Sequence, residues 1–249
     1  MIETAERTII KGPYNHHIYE FPEEINEINF FTFEKKLILE KQWAALPPAA
    51  KSIFPVICSH CNAEGSCYPS EQTIAILSGC TAKTVQTGLK GLRSMEKVFH
   101  IKKKLTNIGH HRNTYQIDFP EQKKGIMFPF HKSIIESGNW SLLTRSAKAL
   151  YPVMRAFSFW EDNLTDQFDI DDYKEREYDF VNAERDVLND HAGIHGSTFY
   201  KALHSLQENY FIEDIGINGG YKTWKVFLRP KRGYEAEYMN KLVLKRYCH

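Results

Sequence analysis

The sequence predicts a mainly helical α+β fold in which one small module with a short β-wing occurs twice in tandem, from an internal duplication. Three observations predict it: a long-range internal repeat, a glycine turn before an amphipathic helix in each copy, and a hairpin signal after each of those helices. The repeat comes first because self-similarity decides the architecture. Residues 31–56 read FTFEKKLILEKQWAALPPAAKSIFPV, and residues 128–153 read FPFHKSIIESGNWSLLTRSAKALYPV. At one spacing, 97 residues (Trp43 to Trp140), Phe31, Phe33, Lys35, Ile38, Trp43, Leu46, Ala50, Lys51, Pro55 and Val56 all recur. The register is lost and then regained at a spacing of 114. There Gly79, Thr84, Leu89 and Leu92 match Gly193, Thr198, Leu203 and Leu206. The 17 extra residues fall in an acidic stretch near 162–179, which reads as a solvated insertion in the second copy. The expected division is a lead segment 1–30, a first module 31–125, a second module 126–232 and a basic C-terminal helix 233–249.

Within the first copy, Trp43-x-x-Leu46 and the apolar positions after it suit a helix. Pro47–Ser59 is a helix with its prolines in the first turn, where a missing N–H is harmless. Asn62–Cys67 reads as a polar loop. Ser70 is the expected cap of a second helix that Gly79 ends, and Thr81 caps a third. On that third helix Val85, Leu89, Leu92 and Met95 form one buried stripe. Val98–Lys104 and Tyr115–Phe119 then form two strands, joined by a turn at Asn107–Asn113. The order is a helix-turn-helix followed by a β-wing. In the second copy Val187, Leu188 and Ala192 mark the second helix. The third is expected to bury Phe199, Leu203, Leu206 and Tyr210. Phe211–Ile217 and Lys222–Leu228 form the second wing, turning at Asn218-Gly219-Gly220.

The segment YPSEQTIAILSGCTAKTVQTGLKGL, residues 68–92, resembles the helix-turn-helix modules of bacterial plasmid and phage replication proteins. Pro69, Ser70, Ile74, Gly79, Thr81, Thr84 and Val85 carry the resemblance. With the Phe-x-Phe-x-Lys and Trp lead-in it extends over residues 31–230. It implies tandem winged helices that bind double-stranded DNA, with replication initiation at an origin favoured over operator binding; the acidic insertion and the less basic second module leave a non-enzymatic protein-docking role in a replication or transcription assembly as the alternative. Helicase and primase are the protein partners it implies. Winged helices in general place the third helix in the major groove.

Helical geometry then selects the outward residues. With Val85 buried, Lys83, Gln86, Thr87 and Lys90 point away from the core. Lysine reaches guanine acceptors or phosphates, glutamine pairs with adenine, and threonine contacts a thymine methyl. Thr81 and Thr84, at the helix start, suit phosphates. The wing offers Lys102, Lys103, Lys104, His110, His111 and Arg112, with Lys103 expected on the face opposite Lys102 and Lys104. The equivalent set in the second copy is Ser197, Tyr200, Lys201 and His204. Between Thr81 and Gly125 ten cations stand against three carboxylates, although the formal charge of the whole chain is only +1. The first module is therefore expected to carry most of the affinity, and to bind even as an isolated fragment.

Other chemistry is not expected. Cys58, Cys61, Cys67 and Cys80 begin with a zinc-like C-x-x-C, yet they fall at positions where small buried residues are common. His16-His17 and His110-His111 lack the intervening apolar residue of nickase histidine pairs. No phosphate-binding glycine loop of the G-x-x-x-x-G-K-[ST] type occurs. No catalytic centre, metal or cofactor is expected. Hydrophobic residues at 42% and charged residues at 25%, with neither a membrane-length apolar run nor a signal pattern, place the expected site of action in the cytoplasm. A monomeric pseudo-dimer and a homodimer are both compatible with the sequence.

Overall fold

The computed structural model describes residues 30–105, 111–119, 126–158, 177–218 and 221–230. The lead segment before Phe30, the expected C-terminal helix 233–249 and most of the acidic stretch, 159–176, lie outside the described residues. The first half runs β1 (Phe30–Glu34), α1 (Lys35–Leu39), α2 (Gln42–Ala45), α3 (Pro48–Ser59), β2 (Ser66–Cys67), α4 (Glu71–Ser78), α5 (Ala82–Leu92), β3 (Phe99–Leu105) and β4 (His111–Ile117). The second half repeats that order as β5 (Met127–His131), α6 (Ser133–Glu136), α7 (Asn139–Leu142), α8 (Arg145–Phe157), β6 (Tyr178–Asn182), α9 (Arg185–Ala192), α10 (Ser197–Glu208), β7 (Ile212–Asn218) and β8 (Tyr221–Phe227). Each half closes an antiparallel three-stranded sheet with its last strand in the centre, β2-β4-β3 and β6-β8-β7.

Local chemistry accounts for the helix boundaries. The Ser70 hydroxyl accepts the Thr73 N–H at 3.0 Å and starts α4. Gly79 ends it in the left-handed region, φ 62°, where a side chain would be strained. Thr81 accepts the Thr84 N–H at 3.2 Å and starts α5. Val85, Leu89, Leu92 and Met95 are all buried, as the stripe predicts. Gly88 lets α5 lie directly on α3: a Cβ there would fall 2.7 Å from the Ile53 Cδ1 and 2.9 Å from the Ala49 carbonyl oxygen.

Several expectations need correction. The helix through Trp43 is only the four-residue α2, because Pro47 cannot continue it and instead caps α3. The loop 62–67 ends in β2, a two-residue strand too short to leave a periodic signal. The first wing turns over fewer residues than Asn107–Asn113, since His111, Arg112 and Asn113 already pair in β4. Tyr210 is 40% exposed rather than buried; it follows α10 with φ 58° and so leaves the helical stripe. Asp179 is not a solvated member of the acidic stretch. It is buried on β6, in an ion pair with the buried Arg155 of α8.

The two halves share one hydrophobic core. β1 pairs with β5 in antiparallel register, Phe31 opposite Phe130 and Phe33 opposite Phe128, with Thr32 opposite Pro129 at the centre. These are the repeated phenylalanines, paired crosswise and stacked at 4.9 and 5.0 Å between ring centroids. The Trp43 indole N–H donates to the Ala149 carbonyl at 2.9 Å, and the Trp140 indole donates to the Ser52 carbonyl at 2.8 Å. Each acceptor lies three residues before a proline inside a continuous helix, Pro55 in α3 and Pro152 in α8. A Trp, a Pro and a carbonyl in each half thus complete the other half.

The repeated lysines follow the same rule. The buried Lys51 ammonium donates to the carbonyls of Ala44, at 3.0 Å, and Ala192, at 2.8 Å. Lys148 donates to the carbonyls of Ser78, at 2.8 Å, and Ser141, at 3.5 Å. Each cation therefore sits at the C-terminal ends of two helices, where unpaired carbonyls and the helix dipole favour it. Burial lowers the Lys51 pKa from 10.5 to about 8. Between those values the unfolded chain holds the proton more often than the folded one, so the stability contributed through Lys51 rises with pH across that window. Lys51→Met should melt lower than the parent at neutral pH, by about 2–4 kcal/mol, because two buried carbonyls lose a charged donor. The gap should widen between pH 8 and pH 10, as thermal denaturation at both values will measure.

Candidate nucleic-acid interface

The first helix-turn-helix, α4 and α5, presents the residues that the third-helix geometry selects. Lys83, Gln86, Thr87 and Lys90 are exposed on α5, Thr81 is exposed at its cap, and Thr84 is half-buried. Their hydroxyls and amide are not equally free. Thr81 Oγ1 and Thr84 Oγ1 lie 2.9 Å apart and hydrogen-bond, and the Thr87 hydroxyl donates to the Lys83 carbonyl at 3.1 Å. The Thr87 methyl, and not its hydroxyl, is therefore the group best disposed to contact a base edge. The Gln86 amide donates to Glu71 at 3.1 Å, and the other Glu71 oxygen accepts from the Asn113 amide of β4 at 3.3 Å.

Glu71 thus ties α5 to the wing, and sequence reasoning missed it. It precedes Gln86 by fifteen positions and Asn113 by forty-two, with no local signal joining them. Its carboxylate fixes which edge Gln86 offers, and can itself accept from cytosine N4. Glu71→Ala should relax base preference while costing less total affinity than loss of a cation. Comparing the Glu71→Ala variant with the parent on duplexes that differ by one base pair will measure it.

The wing extends the charge. Lys102, Lys103 and Lys104 on β3 are all exposed, Lys103 included, because this part of the hairpin is solvated on both faces. Lys104 stands directly opposite Arg112 in the register. Like charges so placed repel, and an anion between them would relieve that cost. Arg112 is held over the exposed Tyr68 ring, 4.0 Å from its centroid. Tyr68 is a second residue that sequence reasoning overlooked. His111 opens β4, and His110 lies outside the described residues. Among the described residues Lys83, Lys90, Arg93, Lys97, Lys102, Lys103, Lys104 and Arg112 form no ion pair with a carboxylate.

The corresponding helix pair of the second half, α9 and α10, has a different electrostatic character. Ser197, Tyr200, Lys201 and His204 are exposed on α10, as expected. Gly196, not a side-chain cap, precedes this helix. Tyr200 accepts from Arg185, which also binds Asp186, and His204 pairs with Glu208 at 3.0 Å. On the second wing Lys222 pairs with Asp214 and Lys225 with Glu213. The hydrogen bond from Lys222 holds the Asp214 carboxyl below its ordinary pKa. Of the lysines and arginines on α9, α10, β7 and β8, only Lys201 lacks a carboxylate partner among the described residues.

The cysteines sit behind this surface. Cys58, Cys61 and Cys67 are buried and Cys80 is half-buried, with the Cys61 and Cys67 sulfurs 3.1 Å apart. Burial raises the Cys58 thiol pKa, and the hydrogen bond from Cys61 raises that of Cys67. Among the described residues no three His, Cys, Asp or Glu side chains are grouped to hold a metal ion, and no helix is long and apolar enough to cross a membrane.

Residues 44–96 match the family model of a helix-turn-helix domain. No curated protein and no solved structure matches the chain. The matched segment runs from α2 through α5 and contains every α5 residue named above. The first half of this mixed helix-and-strand chain therefore carries a helix-turn-helix domain, and in the structure the two-stranded wing β3–β4 follows it.

Proposed function

We propose that the chain is a tandem duplication of one winged-helix module that binds double-stranded DNA sequence-specifically and initiates replication at an origin of the plasmid type. The observation that carries the reading is the run of lysines and arginines on α5 and the first wing, none of which pairs with a carboxylate among the described residues, although His100 of β3 does pair with Asp118. Phosphates attract such a surface, and Gln86, held by Glu71, supplies a fixed base-reading amide beside it. The resemblance of residues 68–92 to plasmid and phage replication proteins favours initiation over control of transcription. On this reading binding energy does the work, with no catalytic centre and no cofactor. Deformation of the bound duplex exposes strands for helicase and primase in the cytoplasm.

A second reading applies to the second half alone. Of the lysines and arginines on its helix pair and wing all but Lys201 are in ion pairs, while Ile217 of its wing is 76% exposed, which favours contact with a protein there. Fluorescence anisotropy on duplexes from the DNA flanking the coding region tests the main reading. The logarithm of affinity should fall linearly with the logarithm of salt, by about 0.9 for each phosphate contacted. Absence of duplex binding at low salt overturns it. A circular DNA carrying the coding region and its flanks should replicate only when the protein is made. Repression of a neighbouring promoter without replication would assign it to transcription instead.

A further inference from the structure

The loop that joins α3 to β2 closes on itself and brings two thiols together. The Asn62 N–H donates to the Ser66 carbonyl at 3.1 Å, and the Gly65 N–H to the Asn62 carbonyl at 3.0 Å. The Ser66 N–H donates to the Asn62 side-chain oxygen at 2.8 Å. Gly65 lies against the wing: its carbonyl accepts the Ile117 N–H at 2.8 Å, and a Cβ on it would fall 1.9 Å from the Ile117 carbonyl oxygen. Cys61 and Cys67 flank this pinned turn, and their sulfurs stand 3.1 Å apart. Both thiols also donate to the Ile57 carbonyl, at 3.5 and 3.4 Å. That carbonyl accepts the His60 N–H as well, at 3.1 Å, so it keeps a partner when both thiol protons leave. A disulfide holds its sulfurs about 2.05 Å apart, a further approach of about 1 Å.

We infer that Cys61 and Cys67 form a reversible dithiol, oxidised by hydrogen peroxide to an intramolecular disulfide that staples β2 to the end of α3. Cys61 reacts first: at 7% exposed against 3% it is the less buried of the two, and the exposed Asn62, Ala63 and Glu64 follow it directly. Its thiolate attacks one peroxide oxygen and the O–O bond breaks. Cys61 becomes a sulfenic acid, and the hydroxide that leaves takes up the proton lost from the thiol. The hydrogen bond from Cys61 raises the Cys67 pKa, so Cys67 keeps its proton longer and acts second. Its sulfur attacks the Cys61 sulfur, the S–O bond breaks, and the hydroxide released takes up the Cys67 proton. Two thiols and one peroxide thus give one disulfide and two waters, each sulfur yielding one electron to the peroxide oxygens.

The place of the pair gives the bond a mechanical effect. β2 contributes only two residues to the wing sheet, Ser66 opposite Gln116 and Cys67 opposite Tyr115. So short a strand has little backbone pairing of its own, and a covalent tie at Cys67 restricts how it opens. Tyr68, whose ring lies under Arg112, is the next residue. Oxidation therefore fastens the edge of the wing from which Arg112 is positioned. This chemistry does not depend on what the wing binds.

Treating the full chain with a small excess of hydrogen peroxide, alkylating the remaining thiols after denaturation and mapping the peptides by mass spectrometry tests this. Cleavage after Glu64 parts the two cysteines unless they are bridged, and fragment spectra tell Cys61 from Cys58. The expected product is a Cys61–Cys67 bridge with the loss of two hydrogens, Cys58, Cys80 and Cys248 alkylated, and full reversal by dithiothreitol. In the oxidised chain the amides of 66–68 and 115–117 should exchange with deuterium at least about tenfold more slowly than in the reduced chain. Cys67→Ser should stop at a Cys61 sulfenic acid, trapped by dimedone, with no slowing of exchange. Should that variant fail to melt cooperatively, the parent's peptide map decides without it. A bridge to Cys58 or Cys80, a bridge between chains, or alkylation of both Cys61 and Cys67 after peroxide overturns the inference. A Cys61–Cys67 bridge that leaves exchange at 66–68 and 115–117 unchanged overturns the staple.

Discussion

Severing the chain between residues 125 and 126 should leave neither half folded. A fragment ending at 125 keeps β1 but loses β5, its only strand partner among the described residues. Phe31 and Phe33 lose the rings stacked on them, the Trp43 indole loses the Ala149 carbonyl, and Lys51 loses that of Ala192. Exposing three large aromatic side chains costs roughly 5–9 kcal/mol. That equals the whole stability of an ordinary domain, about 5–15 kcal/mol. The expectation that the first half binds DNA as an isolated fragment gives way for this reason. Circular dichroism should show no cooperative melt for residues 30–125 or for 126–230 alone. Mixing the two should restore a melt, because every contact between them is non-covalent. A fragment that melts cooperatively by itself would show that the shared core is dispensable.

Replacing Lys83, Gln86 and Lys90 together with alanine should remove most of the specific DNA affinity while leaving the fold intact. All three side chains are exposed, and the buried stripe of α5 does not include them. Each base contact is worth about 1–3 kcal/mol. The combined loss is then roughly 3–9 kcal/mol, at least a hundredfold in affinity. The salt slope should fall by at most about two, one step of 0.9 for each lysine that had neutralised a phosphate. The matching change in the second half, Lys201 and His204 to alanine, should cost much less, because His204 is already paired with Glu208. Anisotropy titrations of both variants at two salt concentrations, beside their melting curves, measure the difference. Equal losses from the two variants would mean that the internal ion pairs do not silence the second surface.

The local features were legible because their causes lie within a few residues. Ser70 and Thr81 cap helices through bonds to the third residue beyond them, and Gly79 ends a helix through its own dihedral angle. The α5 stripe needs only the helical period, so its outward face could be assigned without coordinates. The stripe of α10 failed at Tyr210 because the chain turns before that residue is reached. The repeat of Phe, Trp, Lys and Pro was equally visible, since it is written in residue identity.

What the repeat meant was decided only in three dimensions. The sequence aligns Trp43 with Trp140 at one spacing, and each could have completed its own half; packing directs each indole to a backbone carbonyl of the other half's proline-containing helix. The same holds for Lys51 and Lys148, whose sequence neighbours give no sign that they are buried at helix ends 141 and 70 residues away. Glu71 with Gln86 and Asn113, and Arg155 with Asp179, are likewise pairings between separate elements, whereas the ion pairs of the second surface join residues at most twelve positions apart. Helix propensity, capping and periodicity act along the chain and are fixed by local order. Which donor meets which acceptor, and which cation remains free for a phosphate, depends on distances that exist only after the two halves have closed on one core.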